Sequence, residues 1–142
     1  MSVTSPHTPI PALTFRQPWA ELLISGRKTI EIRTWADSYR GPIWIHAGKT
    51  PIEGTHPFGD LPLGAFVGIA ELNLILPLDP ERWEAWRDLH LNDGPYPGHT
   101  FAWVFARPER FEKPVAGRGM PGLFFPPEDK ARELEAATGQ AR

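Results

Sequence analysis

The chain has 142 residues, 41% of them hydrophobic and 23% charged, with a formal net charge of −2. That is the profile of one ordinary globular domain with a single core. It contains no cysteine, which excludes disulfides and thiolate metal sites and agrees with a reducing compartment.

Seventeen prolines and 13 glycines are spread along the chain, which favours a loop-rich, mainly β domain over a helical bundle. No apolar run is long enough to span a membrane, and the first residues lack the basic-then-apolar layout of a signal peptide. A cytoplasmic protein with no membrane partner is the expectation. The net charge hides an asymmetry. Residues 11–49 hold six basic side chains (Arg16, Arg27, Lys28, Arg33, Arg40, Lys49) against three acidic ones (Glu21, Glu31, Asp37). Residues 50–95 reverse the balance, with two basic and eight acidic, and residues 96–125 hold four basic and two acidic. A weakly acidic whole can carry one basic face, and the local field steers an anion.

In chain order, residues 1–11 are rich in Ser, Thr and Pro and read as a loose arm. Leu13–Phe15 forms a short strand. Pro18–Ser25 reads as a helix, with Trp19, Leu22 and Leu23 on one face and Gly26 at the left-handed stop. Lys28–Thr34 is a strand with Ile30 and Ile32 on one face and Thr29, Glu31 and Arg33 on the other. After turn residues at 37–41, Pro42–Ala47 is a strand with Ile43 and Ile45 opposite Trp44 and His46. Residues 49–63 form a long loop. Gly64–Leu76 is a long apolar strand, bent or bulged near Gly68. Asp79 caps a helix over residues 79–89, with Pro80 first and Trp83 and Trp86 pointing one way. Two extended segments follow, at 100–106 and 110–115. A Gly-rich turn at 117–122 and Leu123-Phe124-Phe125 close the core. Residues 126–142 form a peripheral Ala/Glu-rich helix. The fold expected is mainly β with flanking helices (α+β), a small, partly open β-barrel over residues 12–125.

The run from Gly26 to Trp35 is the strongest sign of a site. It crowds Lys28, Glu31 and Arg33 into a strand whose exposed positions would ordinarily be Thr, Val or Tyr. In a cleft, Lys28 would contact a phosphate or polarise a carbonyl oxygen, and burial would lower its pKa toward acid–base work. The alternative is a surface lysine paired with Glu31. Glu31 and Arg33 share a strand face, either as a structural ion pair or with Arg33 on a phosphate or base and Glu31 accepting from an amino group. Glu71, inside an apolar strand, needs a cationic partner if buried; Lys28 or Arg33 would provide one, and Lys28 with Glu71 would make a general acid–base couple. The alternative is a strand-edge glutamate facing water. Gln17 and Trp35 offer an amide and a stacking plane. Arg40, Lys49 and Arg118 are further phosphate candidates. Trp19, Trp44, Trp83, Trp86 and Trp103 read as core. His46 reads better as a hydrogen-bonded structural histidine than as a ligand or acid. The five histidines show no metal spacing, so no metal and no cofactor is expected. No P-loop, dinucleotide fingerprint or nucleophile elbow is present.

The ordered runs Leu13-Thr14-Phe15-Arg16-Gln17-Pro18-Trp19-Ala20, Gly26-x-Lys28-x-x-Glu31-x-Arg33-x-Trp35, Tyr39-Arg40-Gly41-Pro42 and Ile45-His46-Ala47-Gly48-Lys49 resemble the ASCH family (activating-signal-cointegrator homology), a branch of the PUA-like barrels. Gly64-Ala65-x-Val67-Gly68-x-Ala70-Glu71-Leu72, Trp103-x-Phe105 and Phe111-x-x-Pro114-Val115 before Gly117-Arg118-Gly119 extend the resemblance over residues 12–125. It implies a PUA-like barrel with a cleft beside the Lys28–Arg33 segment and a nucleic-acid or nucleotide ligand. Some members resemble amidohydrolases of N4-acetylcytidine that use a Lys, a Thr three residues on and a Glu from a later strand. Lys28 and Glu71 match the first and last, but the Thr position is Glu31, and a carboxylate cannot replace a hydroxyl nucleophile without changing the mechanism. Glu31 matches instead the branch seen in the coactivator that names the family, where the domain looks like a nucleic-acid binder. Other relatives are ribonucleases. The expectation is therefore binding of RNA or single-stranded nucleic acid in a basic cleft by Gln17, Lys28, Arg33, Trp35, Arg40, Lys49 and Arg118. The alternative is a metal-free hydrolase of a modified nucleoside, or a weak ribonuclease, working through Lys28, Glu31 and Glu71.

Overall fold

Alternating apolar residues build the centre of the molecule, seen here in a computed structural model that describes residues 8–53 and 60–141. The readings made for residues 1–7 and 54–59, His7 and His56 among them, lie outside the described residues. Strands β1 (Ala12–Phe15), β2 (Ile30–Arg33), β3 (Gly41–Ala47), β4 (Ala65–Pro77) and β5 (Phe101–Ala116) form one sheet in the order β1-β3-β4-β5-β2. β1 runs parallel to β3, and every other neighbouring pair is antiparallel. The sheet curls into a half-barrel whose two edge strands approach each other: Arg33 Nη2 on β2 donates to the Thr14 carbonyl on β1 at 2.8 Å. A side chain thus bridges the gap that backbone pairing leaves open, while the β1 edge is also paired at Ala12, which exchanges backbone hydrogen bonds with Phe124.

The period-2 pattern sorts the strands into an inner and an outer layer. Inside lie Leu13, Phe15, Ile43, Ile45, Val67, Leu72, Trp103 and Phe105, plugged by Leu23 and Ile24 of α1 (Trp19–Ile24). Outside, Trp44, Phe66 and Phe111 meet Phe124 and Leu134. Leu134 belongs to α4 (Glu128–Ala141), so the C-terminal helix contributes a fully buried residue to the second core. A third cluster joins Ile30 and Ala102 to Leu78 and Trp83, beneath α2 (Pro80–Ala85). No described helix is long and apolar enough to cross a membrane.

The local signals work as physics requires. Gly26 takes φ 86° and ends α1, a conformation that costs glycine nothing. Asp79 Oδ1 accepts from the Arg82 amide at 2.7 Å and caps α2. Gly68 sits where a Cβ would strike the Glu109 carbonyl and Ile24, and the β4–β5 register shifts on either side of it.

Two expectations are corrected. The helix read over residues 79–89 is two short helices, α2 and α3 (Arg87–His90), broken at Trp86. Beyond the break His90 stacks on Trp83, ring centroids 4.2 Å apart. The extended segments at 100–106 and 110–115 are one strand of 16 residues, β5. Arg107 and Pro108 interrupted the alternation because residues 107–110 are exposed where the strand bends, with Arg107 at φ 50°.

Candidate nucleic-acid interface

The charged face of β2 turns inward. Lys28 follows α1, is only 1% exposed, and donates from Nζ to the His90 carbonyl at 2.6 Å. The ammonium lies 4.4 Å above the Trp19 ring and 3.5 Å from Glu31 Oε1. Glu31, 7% exposed, holds Arg33 Nε through its other oxygen at 2.9 Å. Burial lowers the Lys28 pKa, and Glu31 works against that shift. Buried Lys28 and Glu31 and partly exposed Arg33 thus form one network tying α1, β2 and α3 together. The alternative of a surface lysine is wrong in its exposure, though right in its partner.

Four expected site residues take other places. Glu71 does not meet Lys28; it sits half-exposed on β4 and pairs with Arg107 at 3.0 Å. The acid–base couple Lys28–Glu71 is therefore not formed, because the lysine is drawn into the Glu31 pair and the His90 carbonyl instead. Gln17 is 2% exposed and fully engaged, donating to the Pro62 carbonyl and accepting from the Glu21 amide, both at 3.0 Å. It holds the start of α1 against the long loop and does not face a ligand. Trp35 packs edge-on against Trp103 at 4.6 Å, and its carbonyl accepts from Trp103 Nε1. Arg40 is exposed but folded onto its own turn, donating to the Asp37 and Tyr39 carbonyls at 2.7 Å.

The other three cations converge. Arg33, Lys49 and Arg118 line one cleft of about 480 Å³ with Thr14, His46, Gly48, Gly64 and the Gly117–Gly122 turn. Among the described residues, no Asp or Glu lines it. β1, β2 and β3 bring Thr14, Arg33 and His46 to its floor, while Lys49 and Arg118 stand exposed at its rim beside Met120. Positive charge without a lining carboxylate suits an anion, and the concave wall focuses that field.

His46 is 2% exposed and bonded at both ring nitrogens: Nε2 to the Gly117 carbonyl at 2.9 Å and Nδ1 to Thr14 Oγ1 at 3.1 Å. A carbonyl only accepts, so Nε2 carries the proton, and neutral Nδ1 accepts from the Thr14 hydroxyl. The reading of His46 as a hydrogen-bonded histidine agrees with this, but Thr14 was missed. The face alternation of β3 put His46 beside Trp44, yet nothing local signals that parallel β1 sets Thr14 in register with His46. Among the described residues, no three His, Asp or Glu side chains group as metal ligands.

Burial pushes the His46 pKa down, partly offset by the Gly117 bond, and burial also pushes the His90 pKa down. Below pH about 6.5 the unfolded chain takes up protons that these folded histidines refuse. The unfolded state then binds more protons, so stability falls as pH drops from about 6.5 toward the folded pKa values. Unfolding free energies from urea titrations at pH 7.5 to 5 should decline, by up to about 1.4 kcal/mol per pH unit for each histidine. The decline should be shallower in His46→Gln.

The comparisons with known proteins agree with this architecture. The family model for the ASCH domain matches residues 13–115. Activating signal cointegrator 1 of Mus musculus is 50% identical over 40 residues, which cover 28% of this chain and 7% of that protein. Its Homo sapiens counterpart is 49% identical over 35 residues, 25% of this chain and 6% of that protein. The chain therefore spans a small part of these relatives' length. The crystal structure of an ASCH protein from Zymomonas mobilis superposes with a TM-score of 0.69 at 16% identity, covering 90% of this chain and 94% of that one. A serine-to-alanine variant of that protein gives the same score and identity, covering 92% and 99%. With a family match over most of its length and the same fold in these structures, the chain belongs to the ASCH domain family.

Proposed function

We propose that this ASCH domain binds nucleic acid, RNA or another single strand, with its phosphates in the cleft between β1, β3 and the Gly117–Gly122 turn. The observation that supports the reading is the convergence of Arg33, Lys49 and Arg118 on one concavity that no carboxylate lines among the described residues. Exposed Met120 at the rim offers an apolar surface to a base. The phosphate contacts assigned to Lys28 and Arg40, the base contacts assigned to Gln17 and Glu31 and the stacking assigned to Trp35 are not part of this reading. Amidohydrolysis by Lys28 with Glu71 is not carried forward, because the pair it needs is not formed. The absence of cysteine and an RNA ligand together favour the cytoplasm.

Fluorescence anisotropy with a labelled single-stranded RNA, repeated across salt concentrations, tests the proposal. Affinity should fall linearly on a log–log plot. Lys49→Ala and Arg118→Ala should each weaken binding and reduce the slope by roughly 0.7, one phosphate contact on a single strand. No binding at low salt, or slopes unchanged in both variants, would reject this cleft as the interface.

A further inference from the structure

We propose that Gly117 and Gly119 are positioning residues for Arg118: they let the turn after β5 seat on the floor of the cleft, and the seated turn aims that guanidinium at a phosphate of the bound strand. This rests on the nucleic-acid reading above and names the device that organises its site.

Arg118 stands between two glycines, and neither of them takes a positive φ. Conformational freedom therefore does not require glycine at either position; space does. A Cβ at 119 would lie 2.5 Å from Thr14 Oγ1 and 2.8 Å from both Cε1 and Nδ1 of His46. A Cβ at 117 would lie 2.6 Å from Phe66 Cε1. These neighbours have little room to yield. Thr14 and His46 are hydrogen-bonded to each other at 3.1 Å, and the buried Phe66 ring packs against His46 and Phe124. The turn thus lies directly on the Thr14–His46 pair and closes the space beside it. That pair supports the wall and leaves the ligand to the cations.

Hydrogen bonds fasten the chain on both sides of Arg118. Before it, Lys130 Nζ of α4 donates to the Ala116 carbonyl at 2.6 Å, His46 Nε2–H to the Gly117 carbonyl at 2.9 Å, and the Gly117 amide to the Gly64 carbonyl at 3.1 Å. After it, Phe124 exchanges two backbone hydrogen bonds with Ala12, at 2.7 and 3.0 Å. Arg118 itself is exposed, and among the described residues its guanidinium has no ion-pair partner. A free guanidinium on a fastened backbone is a pre-organised anion contact, because the turn is ordered on folding and not on binding. A turn lifted off the floor would carry Arg118 away from Arg33 and Lys49, with which it shares the cleft.

Anisotropy with a labelled single-stranded RNA across salt concentrations tests this through a double-mutant cycle. Gly119→Ala should weaken binding as much as Arg118→Ala, roughly five-fold at about 0.1 M salt, and reduce the log–log slope by roughly 0.7. In the Arg118→Ala background, Gly119→Ala should cost nothing more. Lys130→Met removes the Ala116 bond without a clash and serves if Gly119→Ala fails to fold. It should weaken binding to a smaller extent and likewise lose its effect once Arg118 is alanine. A glycine needed for stability alone would lower the melting temperature and leave the slope, measured well below melting, unchanged. That result overturns this proposal alone, and so do equal losses with and without Arg118. Absence of wild-type binding overturns it together with the reading on which it rests.

Discussion

Lys28→Ala is expected to destabilise the domain by about 3–5 kcal/mol, the range for removing one partner of a buried ion pair. The ammonium is fully enclosed, and three features depend on it: the His90 carbonyl, the Glu31 carboxylate and the face of Trp19. Truncation leaves Glu31 in the interior with Arg33 alone and opens a void beneath α1. Lys28→Met fills the void without the charge, so its loss should be smaller. Urea unfolding of both variants tests this. A loss below about 1 kcal/mol in Lys28→Ala, with a large loss of RNA affinity, would instead place the lysine at a ligand. The same burial makes a pH prediction. Lys28 has a lower pKa folded than unfolded, so between those two values the unfolded chain binds more protons and stability rises with pH. The wild type should therefore gain stability relative to Lys28→Met as pH is raised from neutrality toward about 10.

Arg33→Met should affect both the fold and the cleft. Arg33 binds Glu31 and the Thr14 carbonyl, and its guanidinium lies 5.1 Å from the Phe15 ring. Two charge-assisted hydrogen bonds are lost and the edges of the half-barrel lose their bridge, a cost of roughly 2–3 kcal/mol. RNA affinity should also fall well beyond the loss in Lys49→Ala or Arg118→Ala, because Thr14 and the floor of the cleft move as well. Arg33→Lys keeps the charge but not the fork that reaches both partners. If Arg33→Lys restored both stability and affinity, the bridge between the edges would not be what matters. Thermal denaturation and anisotropy on the same samples separate the two effects.

Much of this molecule was legible from short-range patterns. The faces of β3, the glycine stop after α1, the Asp79 cap and the break in register beside Gly68 follow from side-chain period, backbone sterics and hydrogen bonding within a few residues. The ordered motifs from Leu13 to Gly119 pointed to the family. The errors arose where local order gives no information. β5 looked like two pieces because its exposed bend carries charges and a proline. The helix at 79–89 looked continuous because nothing nearby shows that His90 must turn back onto Trp83.

The candidate site divides along the same line. Sequence was sufficient to show that charge is concentrated between Gly26 and Trp35, and that Glu31 and Arg33, two residues apart, share one strand face; the Lys28–Glu31 pair was only one of its alternatives. It could not show which face of β2 turns inward, and that depends on the closure of the sheet. Closure buried Lys28, sent Glu71 to Arg107 and placed Arg33 across the gap to β1. The cleft is assembled from positions as far apart as Thr14, His46 and Arg118. Only the parallel pairing of β1 with β3, and the return of the chain after β5, bring that hydroxyl, imidazole and guanidinium to one wall.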